Sequence, residues 1–180
     1  MNLILFGFKK CGKTYYGIKV ARRMHMQFID IDNVIEEQYC KTYHETLLSR
    51  DIMKRHGEAF FRELETKALA TLSHIKNAVI AVGGGSVLLP QNVNFLEQIG
   101  SLVYLKAPKE VLKKRIFTGD LPAYFDQQHP VASFEKMYEE RKPIYESIPA
   151  FCIDTENKRE DQILTMLCEY MDSVRASYGE

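Results

Sequence analysis

The sequence lacks an excess of charge of either sign, because its 180 residues contain 24 lysines and arginines against 24 aspartates and glutamates. A chain without a basic surplus does not favour polyanions, so we expect no nucleic-acid partner. Long apolar runs are also missing. The N-terminal run, Leu3-Ile4-Leu5-Phe6, is too short for a signal peptide or a membrane span. We therefore expect a cytoplasmic protein that does not bind membranes.

Cysteine and histidine motifs are absent as well. The four cysteines lie far apart without C-x-x-C spacing, and none of the five histidines pairs with another at metal-ligand spacing. These features are typical of reduced thiols and argue against a disulfide framework or a zinc site. No repeat, low-complexity tract or linker interrupts the chain, so residues 1–180 are predicted to form one domain. Balanced charge and the lack of an extra apolar helical stripe favour a monomer.

The most informative stretch that is present runs Gly7-Phe8-Lys9-Lys10-Cys11-Gly12-Lys13-Thr14. It fits the P-loop pattern G-x-x-x-x-G-K-[ST] and follows an apolar run, a context that disfavours an ordinary glycine turn. A strand, a glycine-bounded turn and a helix direct backbone N–H groups and a helix dipole at one point, which favours an anion. Lys13 is expected to reach the β- and γ-phosphates of ATP, and the Thr14 hydroxyl to bind Mg²⁺. The predicted nucleotide contacts are Gly7, Lys9, Lys10, Cys11, Gly12, Lys13, Thr14 and Tyr15.

Short apolar runs alternate with helical patterns along the rest of the chain. This alternation predicts an α/β fold of three layers, with a five-stranded parallel sheet between helices and ligands at the carboxyl ends of the strands. The predicted strands are 2–6, 27–31, 78–82, 102–106 and 151–154. The predicted helices are 13–23, 34–40, 45–56, 59–75, 90–99, 108–117, 134–147 and 160–177. Residues from about 117 to 133 have no periodicity and are predicted to form a mobile lid.

Two acidic residues, Asp30 and Asp32, end the second predicted strand. With a period of two they would face the same side at the edge where ligands bind. One carboxylate near a P-loop usually fixes magnesium, and a second can orient or deprotonate an acceptor hydroxyl. The third strand has no acid at its end, so Asp30 is the candidate for the magnesium side. The alternative is a solvated strand end that caps the next helix.

Further candidate groups follow on later elements. Arg62 and Glu65 stand three residues apart on a predicted helix, a spacing that could fix the guanidinium for a substrate carboxylate, although a surface ion pair is the simpler reading. Gly83-Gly84-Gly85 follows the third strand and would let the backbone touch a ligand, or form a tight turn. Arg141 follows the predicted lid and could equally belong to a charged helix face.

Taken together, these pieces resemble the shikimate kinase family, small P-loop kinases of aromatic amino-acid biosynthesis, over essentially the whole chain. The specific motifs are Phe28-Ile29-Asp30-Ile31-Asp32, His56-Gly57-Glu58 leading to Phe61-Arg62-x-x-Glu65, Val82-Gly83-Gly84-Gly85 and Arg141-x-Pro143-x-Tyr145. The resemblance implies a P-loop kinase fold and ATP-dependent phosphorylation of the 3-hydroxyl of shikimate, giving shikimate 3-phosphate and ADP.

The resemblance also implies roles for individual residues. Lys13 and Asp32 would be catalytic, with Asp32 holding the shikimate hydroxyls, and Thr14 and Asp30 would hold Mg²⁺. Glu65 would support Arg62, and Arg115 would lie beside adenine. The implied substrate-binding residues are Asp32, Arg62, Gly83, Gly84, Gly85 and Arg141.

Two departures from the family pattern concern the phosphate site. Lys10 stands where the family P-loop commonly has its middle glycine, and Leu121-Pro122 stands where the family lid normally has an arginine before a proline. That arginine reaches the transferred phosphate, and such a group can contribute several powers of ten in rate. We hypothesise that Lys10 partly replaces the lost charge, because its side chain starts next to the phosphate site.

Other functions remain open from the sequence. A related P-loop kinase could act on another small hydroxy acid such as gluconate. A nucleotide-binding module with reduced or no turnover would explain the missing lid arginine. A GTPase is disfavoured, because Asn157-Lys158-Arg159-Glu160 lacks the aspartate that reads guanine in an N-K-x-D motif.

Overall fold

Five parallel strands form one sheet in the order β2-β3-β1-β4-β5 in the computed structural model, which describes residues 1–179. The strands are β1 Leu3–Phe6, β2 Gln27–Asp30, β3 Ala78–Ala81, β4 Ser101–Lys106 and β5 Phe151–Asp154. The α-helices are α1 Lys13–Arg23, α2 Ile31–Tyr43, α3 Ser49–Ala70, α4 Pro90–Ile99, α5 Lys109–Phe117, α6 Pro130–Ser147 and α7 Glu160–Tyr178. Short 3₁₀ turns cover Thr71–His74 and Ser86–Leu88. The predicted α/β fold with a five-stranded parallel sheet is confirmed.

The central strand β1 is buried at every residue and pairs with β3 on one side and β4 on the other. Its apolar residues have no polar face, as expected for a strand covered by helices on both sides. Because all five strands run parallel, their carboxyl ends meet at one edge of the sheet. The loop after β1 therefore lies beside the ends of β3 and β4.

Several helix boundaries differ from those predicted. Helix α2 begins at Ile31, directly after β2, because the Asp30 side chain accepts a hydrogen bond from the Asp32 N–H and caps the helix. The prediction that Asp32 ends a strand is therefore wrong. Helix α6 begins at Pro130 instead of 134, since proline at the first position has the φ angle that a helix needs. The helix predicted to start at 45 begins at Ser49.

A backbone break divides α3 into two parts, as the separate predicted helices over 45–56 and 59–75 anticipated. Gly57 has φ 83° and ψ 171°, values that residues other than glycine rarely adopt. The α-helical part then ends at Ala70, before the 3₁₀ turn. The break lets the first part of α3 face the ligand edge independently of the second.

The segment between α5 and α6, residues 118–129, is irregular and is called the lid segment below. Pro122 and Phe125 are buried, and the Phe125 N–H donates to the Pro122 carbonyl. The segment is thus held against the body of the protein at its centre, and its mobility stays a prediction. Among the described residues, the helices are too short or too polar to cross a membrane.

Candidate active site

The loop from Gly7 to Thr14 surrounds the Lys13 ammonium group. Lys13 Nζ donates to the carbonyl oxygens of Gly7 and Phe8, both at 3.0 Å. Gly7 and Gly12 have φ angles of 139° and 113°. A Cβ on Gly7 would lie 2.6 Å from the Leu105 carbonyl oxygen, so the tight course of the loop requires glycine there. The loop has the concave shape that a phosphate group fits.

Cys11 is buried within the loop, and its Sγ lies 3.8 Å from Lys13 Nζ. Its side chain is 1% exposed, and its N–H already donates to the Phe8 carbonyl. It does not line the cavity, and its predicted contact with the nucleotide stays a prediction. Gly7 also lies outside the cavity lining, whereas Lys9, Lys10, Gly12, Lys13, Thr14 and Tyr15 all belong to it.

Lys10 adopts a left-handed backbone conformation with φ 66°. This conformation costs a residue with a Cβ about 1–2 kcal/mol, a cost that glycine would not have. The side chain is exposed and lies towards the lid segment, since a Cβ on Gly119 would be 3.8 Å from Lys10 Nζ. The hypothesis that Lys10 partly replaces the lid arginine stays a prediction.

Replacing Lys10 by glycine is expected to raise the free energy of unfolding by about 0.5–1 kcal/mol, because relief of the left-handed strain exceeds the extra entropy of the unfolded chain. Urea unfolding measures this change. Lys136→Gly is the matched control, because Lys136 lies exposed within α6 and its replacement should lower stability by about 1 kcal/mol. A loss of stability in Lys10→Gly equal to that of the control would contradict the prediction.

Thr14 and Asp30 come into direct contact at the start of α1 and the end of β2. Thr14 Oγ1 donates to Asp30 Oδ2 at 2.8 Å. Two adjacent hard oxygen groups fit Mg²⁺, which is usually held by one or two protein ligands together with substrate phosphates. The predicted pair is thus brought together, although Asp30 also serves as the cap of α2.

Asp32 faces the same cavity from the first turn of α2. Asp32 is exposed to the solvent in the cavity. Burial, and then the negative charges of Asp30 and Glu65, raise its pKa to about 6, although Lys13 and Lys9 act in the opposite direction. A carboxylate with this pKa can accept a proton near neutral pH.

Arg62 and Glu65 form a buried network on the second part of α3. Glu65 is fully buried and accepts hydrogen bonds from Arg62 Nη1 at 2.8 Å and from Ser86 Oγ at 2.6 Å. Burial by itself lowers the pKa of Arg62, but Glu65 and Glu58 outweigh it and raise that pKa above its ordinary value. The alternative of a surface ion pair is wrong, because Glu65 has no contact with bulk water.

The three glycines after β3 leave room for this network. A Cβ on Gly85 would overlap the Arg62 guanidinium, and a Cβ on Gly83 would lie 2.7 Å from Glu65 Oε1. Gly84 faces the P-loop, because its Cβ would be 3.4 Å from both the Gly7 carbonyl oxygen and the Lys9 nitrogen. None of the three has a positive φ, so their backbone conformation does not require glycine. Glycine is required because neighbouring groups approach these positions closely.

Arg141 reaches the cavity from α6 and is only 9% exposed, so the alternative of a charged helix face is wrong. Its Nη1 donates to the Tyr124 hydroxyl at 3.4 Å, and its guanidinium lies 4.8 Å from the centre of the Tyr124 ring. One turn later, the Tyr145 hydroxyl donates to the Gly84 carbonyl oxygen. The lid segment, α6 and the glycine turn are therefore connected around one point.

These groups line a single cavity of about 810 Å³ at the carboxyl ends of the strands. Arg115 lines its outer end and donates from Nη1 to the Lys10 carbonyl at 3.1 Å. Sequence analysis missed several lining residues, among them Ser49, Arg50, Met53, Tyr124 and Glu160. Three of them lie at the start of α3, Tyr124 lies in the lid segment and Glu160 begins α7. They follow no motif, so only their proximity in the fold identifies them.

Comparisons with known proteins agree with this geometry. The family model described as shikimate kinase matches residues 9–172. A shikimate kinase of Caldanaerobacter subterraneus subsp. tengcongensis is 37% identical over 163 residues, which are 90% of this chain and 91% of that protein.

Solved structures give the same result. A shikimate kinase from Acinetobacter baumannii, solved in complex with shikimate, is 28% identical with a TM-score of 0.83 and covers 97% of this chain and 94% of its own. A gluconokinase from Sinorhizobium meliloti 1021 shares the fold alone, at 14% identity, a TM-score of 0.60 and coverage of 98% and 94%. The P-loop, the Arg62 network and these matches agree, and the chain belongs to the shikimate kinase family.

Proposed function

We propose that this protein transfers the γ-phosphoryl group of ATP to the 3-hydroxyl of shikimate, releasing ADP and shikimate 3-phosphate. The observation that carries this proposal is the shared cavity. Arg62, Arg141 and Asp32 face the same space as the P-loop lysine. A carboxylate held by two fixed guanidinium groups would leave a ring hydroxyl near Asp32, within reach of a phosphate at the P-loop.

The reaction forms a bond between the acceptor oxygen and the γ-phosphorus and breaks the bond to the β-bridging oxygen. Asp32 accepts the hydroxyl proton, which its pKa of about 6 permits at neutral pH. Lys13 and the N–H groups of the loop stabilise the charge on the phosphoryl oxygens. Mg²⁺, bound by Thr14 and Asp30, would neutralise the charge of the β- and γ-phosphates.

Selectivity follows from the buried arginines. Arg62 has a fixed orientation, because Glu65 binds one edge of its guanidinium and Gly85 lies directly beneath it. Arg141 is held by the Tyr124 ring and hydroxyl. A polyol without a carboxylate would displace water from the two guanidinium groups without replacing the hydrogen bonds that the water makes to them. This loss disfavours binding.

The experiment that tests the function is ADP release from ATP and Mg²⁺, with shikimate and with gluconate in parallel. We expect stimulation by shikimate, none by gluconate, and loss of activity when a chelator removes Mg²⁺. Stimulation by gluconate instead would assign a different acceptor. ATP binding without stimulation by either acid would indicate a nucleotide-binding module.

We further infer that the protein works as a cytoplasmic monomer on this small molecule. The P-loop, Asp32, Arg62 and Arg141 of one chain line one cavity, which supports this inference. The four cysteines are free thiols, in agreement with a reducing compartment.

A further inference from the structure

The lid segment carries no cation that could reach a phosphate. Residues 116–135 contain neither lysine nor arginine. Phosphoryl transfer concentrates negative charge on the oxygens of the transferred group, and an arginine commonly stabilises it. A second cation beside Lys13 must therefore come from an element other than the lid segment.

Arg50 lies at the right place to provide one. It belongs to the first turn of α3 and lines the cavity together with Lys9 and Lys13. Its Nη1 donates to the carboxylate of Asp120, the residue immediately before Leu121. The guanidinium thus contacts the first part of the lid segment.

One edge of the Arg50 guanidinium has an ion-pair partner but no hydrogen bond. Nε has no hydrogen-bond acceptor within the protein, and the carboxylate of Asp51 lies 3.6 Å from it, close enough for an ion pair only. A buried donor of this kind costs free energy unless a ligand or water satisfies it. The rest of the side chain is 40% exposed and lines the cavity, where an incoming anion with several acceptor oxygens can reach its terminal nitrogens.

The backbone that carries Arg50 is fixed relative to the catalytic carboxylate. The neighbouring Ser49 donates from Oγ to the Asp32 carbonyl at 3.1 Å and from its N–H to Glu36 Oε1 at 2.8 Å. Arg50 is also close to the P-loop, since its positive charge contributes, after burial and Lys10, to the lowered pKa of Lys9.

We propose that Arg50 supplies the cation that the lid lacks, by hydrogen-bonding the oxygens of the transferred phosphoryl group while Asp120 aligns its guanidinium. The proposal rests on the proposed kinase function. Arg50 makes and breaks no covalent bond, and its contribution is to stabilise charge as the phosphoryl group moves. A planar guanidinium offers paired donors to phosphate oxygens, which the flexible ammonium of the exposed Lys10 does not.

The test compares kcat and the two KM values of Arg50→Ala with those of the wild type, with shikimate as acceptor. We expect kcat to fall by about 10²–10³-fold, as when one stabilising donor is removed, with both KM values within about threefold. Arg55→Ala is the matched control, because Arg55 lies on the same helix but is exposed and paired with Glu45. It should leave kcat unchanged.

Two further variants separate chemistry from structure. Arg50→Lys keeps the charge without the paired donors and should lose at least tenfold in kcat, a readout that holds even if Arg50→Ala folds poorly. Adding Leu121→Arg to Arg50→Ala returns an arginine to the lid and should recover at least tenfold of the lost kcat. A purely structural role for Arg50 would not be rescued from a different element.

Several results would overturn the proposal. The first is a kcat for Arg50→Ala within about fivefold of the wild type. The second is a loss of kcat in Lys10→Gly as large as that in Arg50→Ala. The third is an effect of Arg50→Ala on the KM for shikimate alone. An active wild type with an equally active Arg50→Ala removes only the role of Arg50. A wild type that does not respond to shikimate instead removes the proposed function on which it rests.

Discussion

Asp32→Asn is expected to lower kcat by about 10²–10⁴-fold and, at the same time, to stabilise the folded protein. The loss of rate follows from losing the proton acceptor for the substrate hydroxyl. The gain in stability follows because the ionised carboxylate is disfavoured in the fold by burial and by Asp30 and Glu65. An asparagine of the same shape has no charge for Asp30 and Glu65 to repel. A stabilised but slow variant is the usual result of replacing a strained functional group.

The effects of Asp32 on stability and on rate both depend on pH, and the shift of its pKa gives their sign. The pKa of Asp32 rises from 3.8 to about 6 on folding, so the folded state binds the proton more tightly than the unfolded state. This contribution to stability is present below about pH 4 and is lost as the pH rises through about 6. The wild-type kcat/KM should therefore fall about tenfold per pH unit below pH 6, because the base becomes protonated.

The measurements are a pH profile of kcat/KM and a thermal melt at pH 7.5. Each kcal/mol gained by Asp32→Asn should raise Tm by about 2–4 °C. Asp154→Asn is the matched control: it changes a carboxylate at the same edge of the sheet, at the end of β5, but outside the cavity. A lower Tm for Asp32→Asn, or an unchanged inflection near pH 6 in that variant, would refute the assignment.

Glu65→Ala should lower the free energy of unfolding by about 3–5 kcal/mol, the usual cost of removing one partner of a buried ion pair. Arg62 would keep only Glu58, whose side chain is half exposed, and Ser86 Oγ would lose its acceptor. The freed guanidinium would no longer be fixed above Gly85. The KM for shikimate is therefore expected to rise at least tenfold, with a smaller change in the KM for ATP.

Glu58→Ala is the matched control, because Glu58 binds the same guanidinium from the solvent side. An exposed partner contributes little, so we expect a loss of about 0.5 kcal/mol or less in urea unfolding. Glu65→Gln keeps the side-chain volume and replaces Glu65→Ala in these measurements if the alanine variant does not fold. Equal losses of unfolding free energy in Glu58→Ala and Glu65→Ala would show that burial does not determine how much the Arg62–Glu65 ion pair contributes to stability.

Much of the fold follows from local patterns. The apolar run of β1 and the glycine–lysine pattern after it predict a buried strand and a phosphate loop, because both depend on neighbouring residues. The break at Gly57 also follows from a single glycine between two helical patterns. Helix boundaries were less predictable, since the start of α2 depends on the Asp30 side chain capping it instead of continuing the strand.

The candidate site could be predicted only where a motif preserved spacing. Arg62, Glu65 and the glycine turn were recognisable because their order along the chain reflects a family pattern. Tyr124 was not, since it lies in an aperiodic segment and reaches Arg141 across 17 residues. The burial of the Cys11 side chain could not be predicted either, because the pattern specifies the course of the loop but not which of its side chains are buried.

The sequence by itself determined the order of strands and helices, the phosphate loop and the candidate acid and arginines, because hydrophobic periodicity and motif spacing act over a few residues. Only the tertiary structure decided that Glu65 is buried beneath Arg62, that Asp32 acquires a raised pKa, and that Arg50 meets Asp120 from 70 residues away. These properties depend on what the folded chain brings together. Burial and charge proximity arise from packing between elements, which local patterns do not encode.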